Sequence, residues 1–292
     1  MVISKVIGGL GNQMFQYAIG RAISLQLQTE LKLDVSEFDG YALHQGYELD
    51  RVFDLQVPIA NRQEVRKLLG WQSYPLVQRI VARFLPHGVV ENMVHEPHFH
   101  YWHGVKDLVG NCYLAGYWQS EKYFSEIETQ IRQDFSFKTM VDNKNKKMAD
   151  YIQSINAISL HVRRGDYVNS SKTNAMHGTC SLDYYQMAMD YIIQQVDNPC
   201  FIVFSDDIPW VKTNLSTSHV CCFVDHNQGE NSFRDMQLMG LCQHHIIANS
   251  TFSWWGAWLN PNKDKIVIAP KYWFAHDKCS TQDLYPSEWM IL

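Results

Sequence analysis

The sequence has no apolar run long enough to cross a bilayer. About 18 consecutive apolar residues would be required, and no such run occurs in the 292 residues. The opening apolar stretch is short and continues directly into a glycine loop, so it does not read as a secretory signal. We therefore expect a soluble protein of the cytoplasm.

An excess of basic residues and patterned cysteines are also missing. The net charge of −5 argues against nucleic-acid binding, which needs a basic face, although a few local arginines suffice for a phosphate-bearing small molecule. Seven cysteines without a CxxC pair are typical of free thiols in a reducing compartment. No GxSxG, HExxH or P-loop motif supports a hydrolase or an NTPase.

A histidine-rich segment at residues 95–103 is the one stretch that suggests a metal. His98 and His100 would share a face of a strand and could both reach zinc. Pro97 interrupts that strand, and no cysteine or second carboxylate is in register. Solvated or hydrogen-bonded histidines are the favoured interpretation, so no metal and no other cofactor is expected.

The apolar pattern predicts two β/α regions. The first begins with a strand over 2–7, a glycine loop, a helix over 12–28 and a strand over 31–35, which implies a parallel sheet with a crossover helix. After a polar stretch at 142–147, strands are predicted at 156–162, 200–204, 220–224, 245–248 and 265–269, and helices at 182–195, 207–215, 231–243 and 252–259. We expect an α/β protein with domains at 1–150 and 151–292, the last residues packing back on the first domain, and a ligand cleft at the carboxyl ends of the strands.

Two adjacent arginines follow the predicted strand over 156–162. Arg163 and Arg164 would lie at its carboxyl end, and their forked guanidinium groups match phosphate oxygens at any working pH. The alternative is a structural salt bridge between one arginine and Asp166. An adhesion tripeptide at 164–166 is not favoured without secretion.

A second polar group, Asp206 and Asp207, follows the strand over 200–204. These carboxylates could accept hydrogen bonds from a guanine edge or from ribose hydroxyls. Alternatively, Asp207 could cap the helix that contains Pro209. A metal site is a third alternative, but no further carboxylate lies nearby in the sequence.

The third group follows the strand over 245–248. Its residues could offer hydroxyl groups and a helix N-terminus to a diphosphate, or they could be ordinary helix caps. They are Asn249, Ser250, Thr251, Phe252 and Ser253.

The loop at 8–12 resembles a dinucleotide fingerprint, with Asp34 about 20 residues further on. Met14, however, stands where the third glycine belongs, and that position controls close packing of the helix on the strand. Asn12 and Gln13 could hydrogen-bond a sugar or cap the helix. An NAD-binding dehydrogenase therefore remains an alternative that the motif itself weakens.

Five segments together resemble the bacterial α-1,2-fucosyltransferases, in order through nearly the whole chain. More distantly, the glycine loop and the His-x-Arg segment are similar to those of α-1,6- and protein O-fucosyltransferases. The segments are 8–17, 116–120, 161–167, 205–207 and 249–258.

The resemblance implies a glycosyltransferase B fold, with two Rossmann-like β/α/β domains facing a cleft and GDP held mainly by the second. Arg163 matches an arginine that contacts the donor β-phosphate, and Asn12 an asparagine near the transferring sugar. The remaining donor-binding residues implied are His161, Arg164, Asp166, Asp206, Asp207 and 249–253. The glutamate that serves as proposed base in the α-1,6 relatives is absent after Arg164, so the base is left open.

The resemblance also implies an inverting, metal-independent transfer from GDP-fucose to O2 of a terminal β-galactose. The galactose would belong to an oligosaccharide or a lipid-linked O-antigen glycan. A fucosyltransferase of another linkage is an alternative. Acceptor contacts are expected from Gln13, Trp118, Gln119 and His44. A lipid-borne acceptor would make peripheral membrane contact sensible. A basic, partly amphipathic surface could provide that contact, or it could be a solvated helix face. Its residues are Arg66, Lys67, Trp71, Arg79, Arg83 and Phe84.

Overall fold

The computed structural model describes residues 1–40, 45–74, 89–165, 178–215, 217, 219, 221–275 and 279–292. The chain forms two compact units. Unit 1 comprises Met1–Lys138 and Ser280–Leu284, and unit 2 comprises Thr139–Cys279 and Tyr285–Leu292.

Unit 1 contains a five-stranded sheet in the order β2-β1-β5-β4-β3. Its strands are β1 (Val2–Lys5), β2 (Leu31–Asp34), β3 (Val89–Val90), β4 (Met93–His95) and β5 (Cys112–Ala115). All neighbouring pairs are parallel except β3 and β4. The carboxyl ends of β1, β5 and β4 therefore lie together along one edge of the sheet.

Among the described residues, unit 1 has the helices α1 (Leu10–Gln26), α2 (Leu49–Val52), α3 (Arg62–Leu69) and α4 (Glu128–Asp134). Helix α1 is the crossover between β1 and β2, and Gly20 lets it approach the sheet closely. A Cβ at Gly20 would lie 3.0 Å from the Cβ of Ser4 on β1 and 2.9 Å from a methyl carbon of Leu31 on β2. The close packing that a fingerprint glycine would give at Met14 is thus provided further along the same helix.

Unit 2 contains a six-stranded, fully parallel sheet in the order β11-β10-β9-β6-β7-β8. The strands are β6 (Ala157–Val162), β7 (Cys200–Ser205), β8 (Cys221–Val224), β9 (His244–Ile246), β10 (Val267–Ala269) and β11 (Met290–Ile291). Central strand β6 is buried along its whole length, because helices cover both faces of a parallel sheet.

In the described part of unit 2 the helices are α5 (Asn143–Gln153), α6 (Leu182–Gln195), α7 (Ile208–Asn214), α8 (Phe233–Met239) and α9 (Thr251–Leu259). Apolar residues from strands and helices form its core on the two faces of the sheet. One face includes Leu160, Tyr184 and Ile246, and the other includes Ile152, Phe204 and Leu238.

The chain passes from unit 1 to unit 2 between Lys138 and Thr139, earlier than the expected boundary at 150. The polar stretch at 142–147 begins α5, and Asp142 caps this helix by accepting a hydrogen bond from the backbone N–H of Asn145 at 2.8 Å. Near the end of the chain, Ser280–Leu284 belong to unit 1, whereas the last eight residues add β11 to unit 2.

Residues 121–134 form three short helical pieces. Two 3₁₀ turns at Glu121–Tyr123 and Ser125–Ile127 precede α4. Among the described residues, no helix has the length and apolar character that crossing a membrane requires.

Candidate functional site

The sheet of unit 2 has a topological switch point between β6 and β9. Read from β8, its strands follow the order third, second, first, fourth, fifth, sixth. Open α/β sheets with this order bind ligands beyond the carboxyl ends of the first and fourth strands, where the connections leave in opposite directions. Arg163 and Arg164 follow β6, and 247–251 follow β9, so the sequence-predicted donor residues converge on this edge.

A buried polar network joins the two switch-point strands. Ser159 on β6 lies in register with His245 on β9, and its Oγ is 2.8 Å from the His245 Nδ1. Asn260 donates to the His245 Nε2 at 2.7 Å, so Nδ1 carries the proton and donates to Ser159. Burial lowers the pKa of His245 to about 3. These three residues resemble a hydrolytic triad in composition, but all are buried, and they fix the two strands together.

Asp206 holds the arginine loop that follows β6. One carboxylate oxygen accepts a hydrogen bond from the Arg164 backbone N–H at 2.8 Å, and the other lies 3.2 Å from the Arg163 Nε. Gly165 permits this approach, since a Cβ there would lie 3.1 Å from the Asp206 carboxyl carbon. Asp206 thus positions Arg163, and its predicted contact with guanine stays a prediction.

Arg164 is held by two side chains at the start of α7. Its guanidinium lies 3.8 Å from the ring centre of Trp210, and its Nε lies 3.6 Å from Asp207, an ion pair too long for a hydrogen bond. The second oxygen of Asp207 accepts from the Trp210 backbone N–H at 3.2 Å. Asp207 is thus the N-cap of α7, the alternative that sequence reasoning had kept open.

His161 points from β6 into the protein and is neutral. Burial, and secondarily the charge of Arg163, lower its pKa to about 3. Its ring lies 5.9 Å from that of Phe252, and its Nδ1 is buried without a hydrogen-bond partner among the described residues. An unpaired buried nitrogen is costly unless a ligand or water meets it, which keeps His161 among the candidate donor contacts.

The loop after β9 is largely occupied by its own hydrogen bonds. Ser250 caps α9 by accepting from the Phe252 N–H at 3.3 Å, and the buried Ser253 hydroxyl accepts from the Ala248 N–H at 3.3 Å. The buried Asn249 amide donates to the carbonyls of Gly178 and Trp273. Asn249 and Ser253 are therefore structural residues of the loop, and Thr251 and Phe252 are the members of this set that are partly exposed.

Asp235 is a carboxylate that the sequence did not single out. It lies on α8, where its Oδ1 accepts from the Asn227 side chain at 2.8 Å. Burial raises its pKa to about 7.

Within the described ranges, no three metal-ligating side chains come together, and the His98 and His100 rings stack on each other at 3.5 Å.

The chain matches a known protein family. The model of Glycosyl transferase family 11 matches residues 102–292, well over half of the chain. The chain belongs to glycosyl transferase family 11. It is therefore a glycosyltransferase, and the resemblance to α-1,2-fucosyltransferases seen in the sequence is confirmed at the level of the family.

Several curated proteins are similar to this chain. An alpha-1,2-colitosyltransferase of Escherichia coli is 34% identical over 99% of this chain and 98% of the relative. The O-antigen biosynthesis glycosyltransferase WbnK of Escherichia coli is 33% identical over 93% and 94% of the two chains. A galactoside 2-alpha-L-fucosyltransferase SEC1 of Bos taurus is 25% identical over 86% of this chain and 62% of the relative.

A solved structure of the NodZ alpha-1,6-fucosyltransferase, soaked with GDP-fucose, has a similar fold. The TM-score is 0.52 at 15% identity, and the match covers 89% of this chain and 92% of NodZ. The predicted glycosyltransferase B fold is thereby confirmed. Membership of this family also removes the alternative of an NAD-binding dehydrogenase. Asp34, the acidic residue of that alternative, accepts hydrogen bonds from the Tyr113 hydroxyl at 2.7 Å and from the Ser36 N–H at 3.0 Å.

In this family 11 chain, the candidate acceptor residues lie in unit 1 along the edge where β1, β4 and β5 end. Asn12 lies in the first turn of α1 and accepts a hydrogen bond from the Gln119 side chain at 3.0 Å. Gly8 has a positive φ of 79° and leaves room for this asparagine, because a Cβ there would lie 2.8 Å from the Asn12 Nδ2. Asn12 is partly exposed at this edge, as its predicted role near the sugar requires.

Gln13 is wrong as an acceptor contact. Its side chain is completely buried. Its amide nitrogen donates to the carbonyls of Gly8 and Gly46 at 2.9 and 2.7 Å, and its oxygen accepts from the Glu48 N–H at 2.9 Å. With its bonding capacity spent on two loops, Gln13 holds those loops together.

Trp118 is likewise buried, and it cannot offer a sugar its ring face. It packs edge-on against Tyr123 with ring centres 5.3 Å apart. Its φ of 56° is rare for a bulky residue and marks stored strain, which concentrates at functional sites. Gln119 is also mostly buried and acts on Asn12. The two other predicted site residues, His44 and Asp166, lie outside the described residues.

Proposed function

We propose that this enzyme transfers L-fucose from GDP-fucose, with inversion, to O2 of a terminal β-galactose. The proposal depends on the arginine pair at the switch-point edge of unit 2. Arg163 is paired through Nε with Asp206, and Arg164 lies over the Trp210 ring in a longer ion pair with Asp207. Partly exposed pairs of this kind add little stability, so their effect is to orient the guanidinium groups for a ligand.

Fucosyl transfer needs a positively charged group beside the departing diphosphate. As the bond between fucose C1 and the β-phosphate oxygen breaks, negative charge grows on the diphosphate, and Arg163 would stabilise it. The sugar gains oxocarbenium character, so the acceptor hydroxyl attacks the opposite face with little help from a base. In this mechanism the arginines hold the diphosphate without a divalent metal, and Asn12 assists at the transferring sugar.

The proposed acceptor is a β-galactoside at the end of an oligosaccharide or a lipid-linked glycan, such as an O-antigen repeat. The similarity to an O-antigen biosynthesis glycosyltransferase supports this choice. A lipid-linked acceptor would place the enzyme at the inner face of the membrane. Arg66, Lys67 and Trp71 of unit 1 are exposed and available for that contact, whereas Arg79, Arg83 and Phe84 lie outside the described residues.

The donor sugar has one specific rival. The relative named as a colitosyltransferase covers almost the whole chain, and colitose is L-fucose without its 3-hydroxyl. The two possibilities differ sharply in selectivity. A site that hydrogen-bonds the 3-hydroxyl rejects the deoxy sugar by about 10⁴-fold or more, whereas a site shaped for the deoxy sugar rejects fucose by only about 10²-fold.

The test is a comparison of GDP-fucose with GDP-colitose at equal concentration, on a panel of β-galactosides, with the product linkage determined by NMR. We expect an α-1,2-linked fucoside and a kcat/KM ratio of about 10⁴ in favour of GDP-fucose. Preference for GDP-colitose would reassign the donor. Failure to transfer either sugar would remove the proposed function.

A further inference from the structure

We propose that Glu96 is a positioning residue that holds the Gly116–Gln119 turn, and through it Asn12, in the arrangement needed for transfer. The inference rests on the proposed function of Asn12 at the transferring sugar. Glu96 follows β4 directly and lies at the same edge of the unit 1 sheet as the glycine loop after β1. It belongs to the histidine-rich segment at 95–103, in which sequence reasoning gave it no role.

The carboxylate of Glu96 binds two successive backbone N–H groups. Oε2 accepts from Tyr117 at 2.6 Å, and Oε1 accepts from Trp118 at 2.9 Å. Gly116 makes this approach feasible, because a Cβ there would lie 2.4 Å from the Glu96 Cβ and 2.7 Å from its Oε2. The close contact between the turn and the Glu96 carboxylate therefore depends on a glycine at position 116.

This pair of hydrogen bonds holds a strained backbone. Trp118 has a positive φ of 56°, a conformation that a tryptophan keeps only when its surroundings impose it. The Trp118 carbonyl then accepts from the Ser120 N–H at 2.8 Å. The conformation at Trp118 sets the direction in which the next residue, Gln119, leaves the turn.

Gln119 carries the effect to the candidate catalytic residue. Its amide nitrogen donates to the Asn12 Oδ1 at 3.0 Å, which orients the Asn12 side chain. A further contact fixes the turn against α1, since the Gln16 amide donates to the Gly116 carbonyl at 3.1 Å. Glu96 therefore acts on Asn12 through one turn and one side chain.

The two hydrogen bonds that Glu96 accepts from the Tyr117 and Trp118 N–H groups, here called the clamp, are sensitive to protonation near neutral pH. Burial raises the pKa of Glu96 to about 7, even though the two backbone N–H groups oppose that shift. A protonated carboxyl carries a hydrogen that would point at one of the two N–H donors, so one bond of the clamp is lost. Among the described residues, the titratable groups that interact with Glu96 are the phenols of Tyr117 and Tyr123. Their pKa values are raised from 10, so both stay neutral in this range.

The experiment compares wild type, Glu96→Gln and Glu96→Asp in the transfer reaction from pH 5.5 to 8.5. The control is Glu126→Gln, a glutamate whose side chain is 81% exposed in a pair with Lys106. In the Glu96→Gln variant, the amide NH₂ group faces a backbone N–H, so we expect kcat at pH 8 to fall by about ten- to a hundredfold. The acid limb of the wild-type profile, with an apparent pKa near 7, should disappear in this variant.

Glu96→Asp keeps the charge on a shorter side chain, and we expect it to retain an acid limb with reduced kcat. GDP affinity, which belongs to unit 2, should stay unchanged in all variants, and circular dichroism shows whether each is folded. Transfer by Glu96→Gln at the wild-type rate with the same acid limb would overturn the inference. A wild-type protein that transfers no fucose would instead overturn the proposed function.

Discussion

Replacing Arg163 by alanine is the most stringent test of the proposed mechanism by mutation. The substitution deletes the guanidinium at the carboxyl end of β6 and leaves Asp206 bound to the Arg164 backbone N–H. We expect kcat to fall far more than stability. The lost ion pair is partly exposed, with side-chain exposures of 25% and 24%, and pairs of that kind contribute about 0.2–1 kcal/mol.

The expected size of the kinetic effect follows from the charge that the leaving group develops. Two unit charges about 4 Å apart interact by about 4 kcal/mol at the effective dielectric of a protein surface. Only the charge that grows between ground state and transition state counts toward kcat. Removal of one preorganised donor of this kind costs about 3–4 kcal/mol, or about 10²–10³-fold in rate.

The assay measures GDP release and product formation under saturating donor, with the thermal midpoint recorded for each variant. Arg163→Lys keeps the charge without the fork, so it should recover part of the rate. Arg62→Ala is the control, since that side chain is 82% exposed in unit 1, and it should behave as wild type. A folded Arg163→Ala enzyme with near-normal kcat would refute the reasoning.

Two further predictions concern stability. Asp235→Asn should stabilise the protein by about 1–3 kcal/mol more at pH 8 than at pH 4. The pKa of Asp235 is raised from 3.8 to about 7 by burial, so the wild-type carboxyl loses stability as the pH rises from 4 to 7, and the full cost is present above pH 7. The neutral amide avoids that cost while still accepting from Asn227, and equal effects at both pH values in urea titrations would contradict this. Gln13→Ala should destabilise unit 1 by about 2–4 kcal/mol, since it leaves the Glu48 N–H and two carbonyls unpaired, yet leave the acceptor KM of the folded enzyme unchanged; a raised KM with normal stability would restore Gln13 as an acceptor contact.

The fold of unit 2 could be predicted because buried parallel strands appear as short apolar runs separated by amphipathic helices. The predicted helix over 182–195 matches α6 residue for residue, and the polar groups after β6, β7 and β9 were placed at the right edge. The order of the strands follows from long-range pairing, which one sequence does not reveal. Only that order places Arg163 and the loop after β9 at a switch point.

Side-chain roles in unit 1 were harder to predict. An amide at the mouth of a domain can face a ligand or turn back into the chain, and Gln13 turns back to partners 33 and 35 residues away. Trp118 suggests a sugar platform by its residue type, yet its neighbours cover it completely. Glu96 and Asp235 gain their raised pKa values from burial by residues remote in sequence, so neither could be recognised beforehand.

The central claim is that the arginine pair of unit 2 binds a guanosine diphosphate, and calorimetric titration of GDP in the presence of EDTA tests it most directly. The account predicts one binding site per chain without a divalent metal, and strong weakening of binding when Arg163 and Arg164 are both replaced by alanine. A folded wild-type protein that does not bind GDP, or binds it only with Mg²⁺ or Mn²⁺, would contradict it.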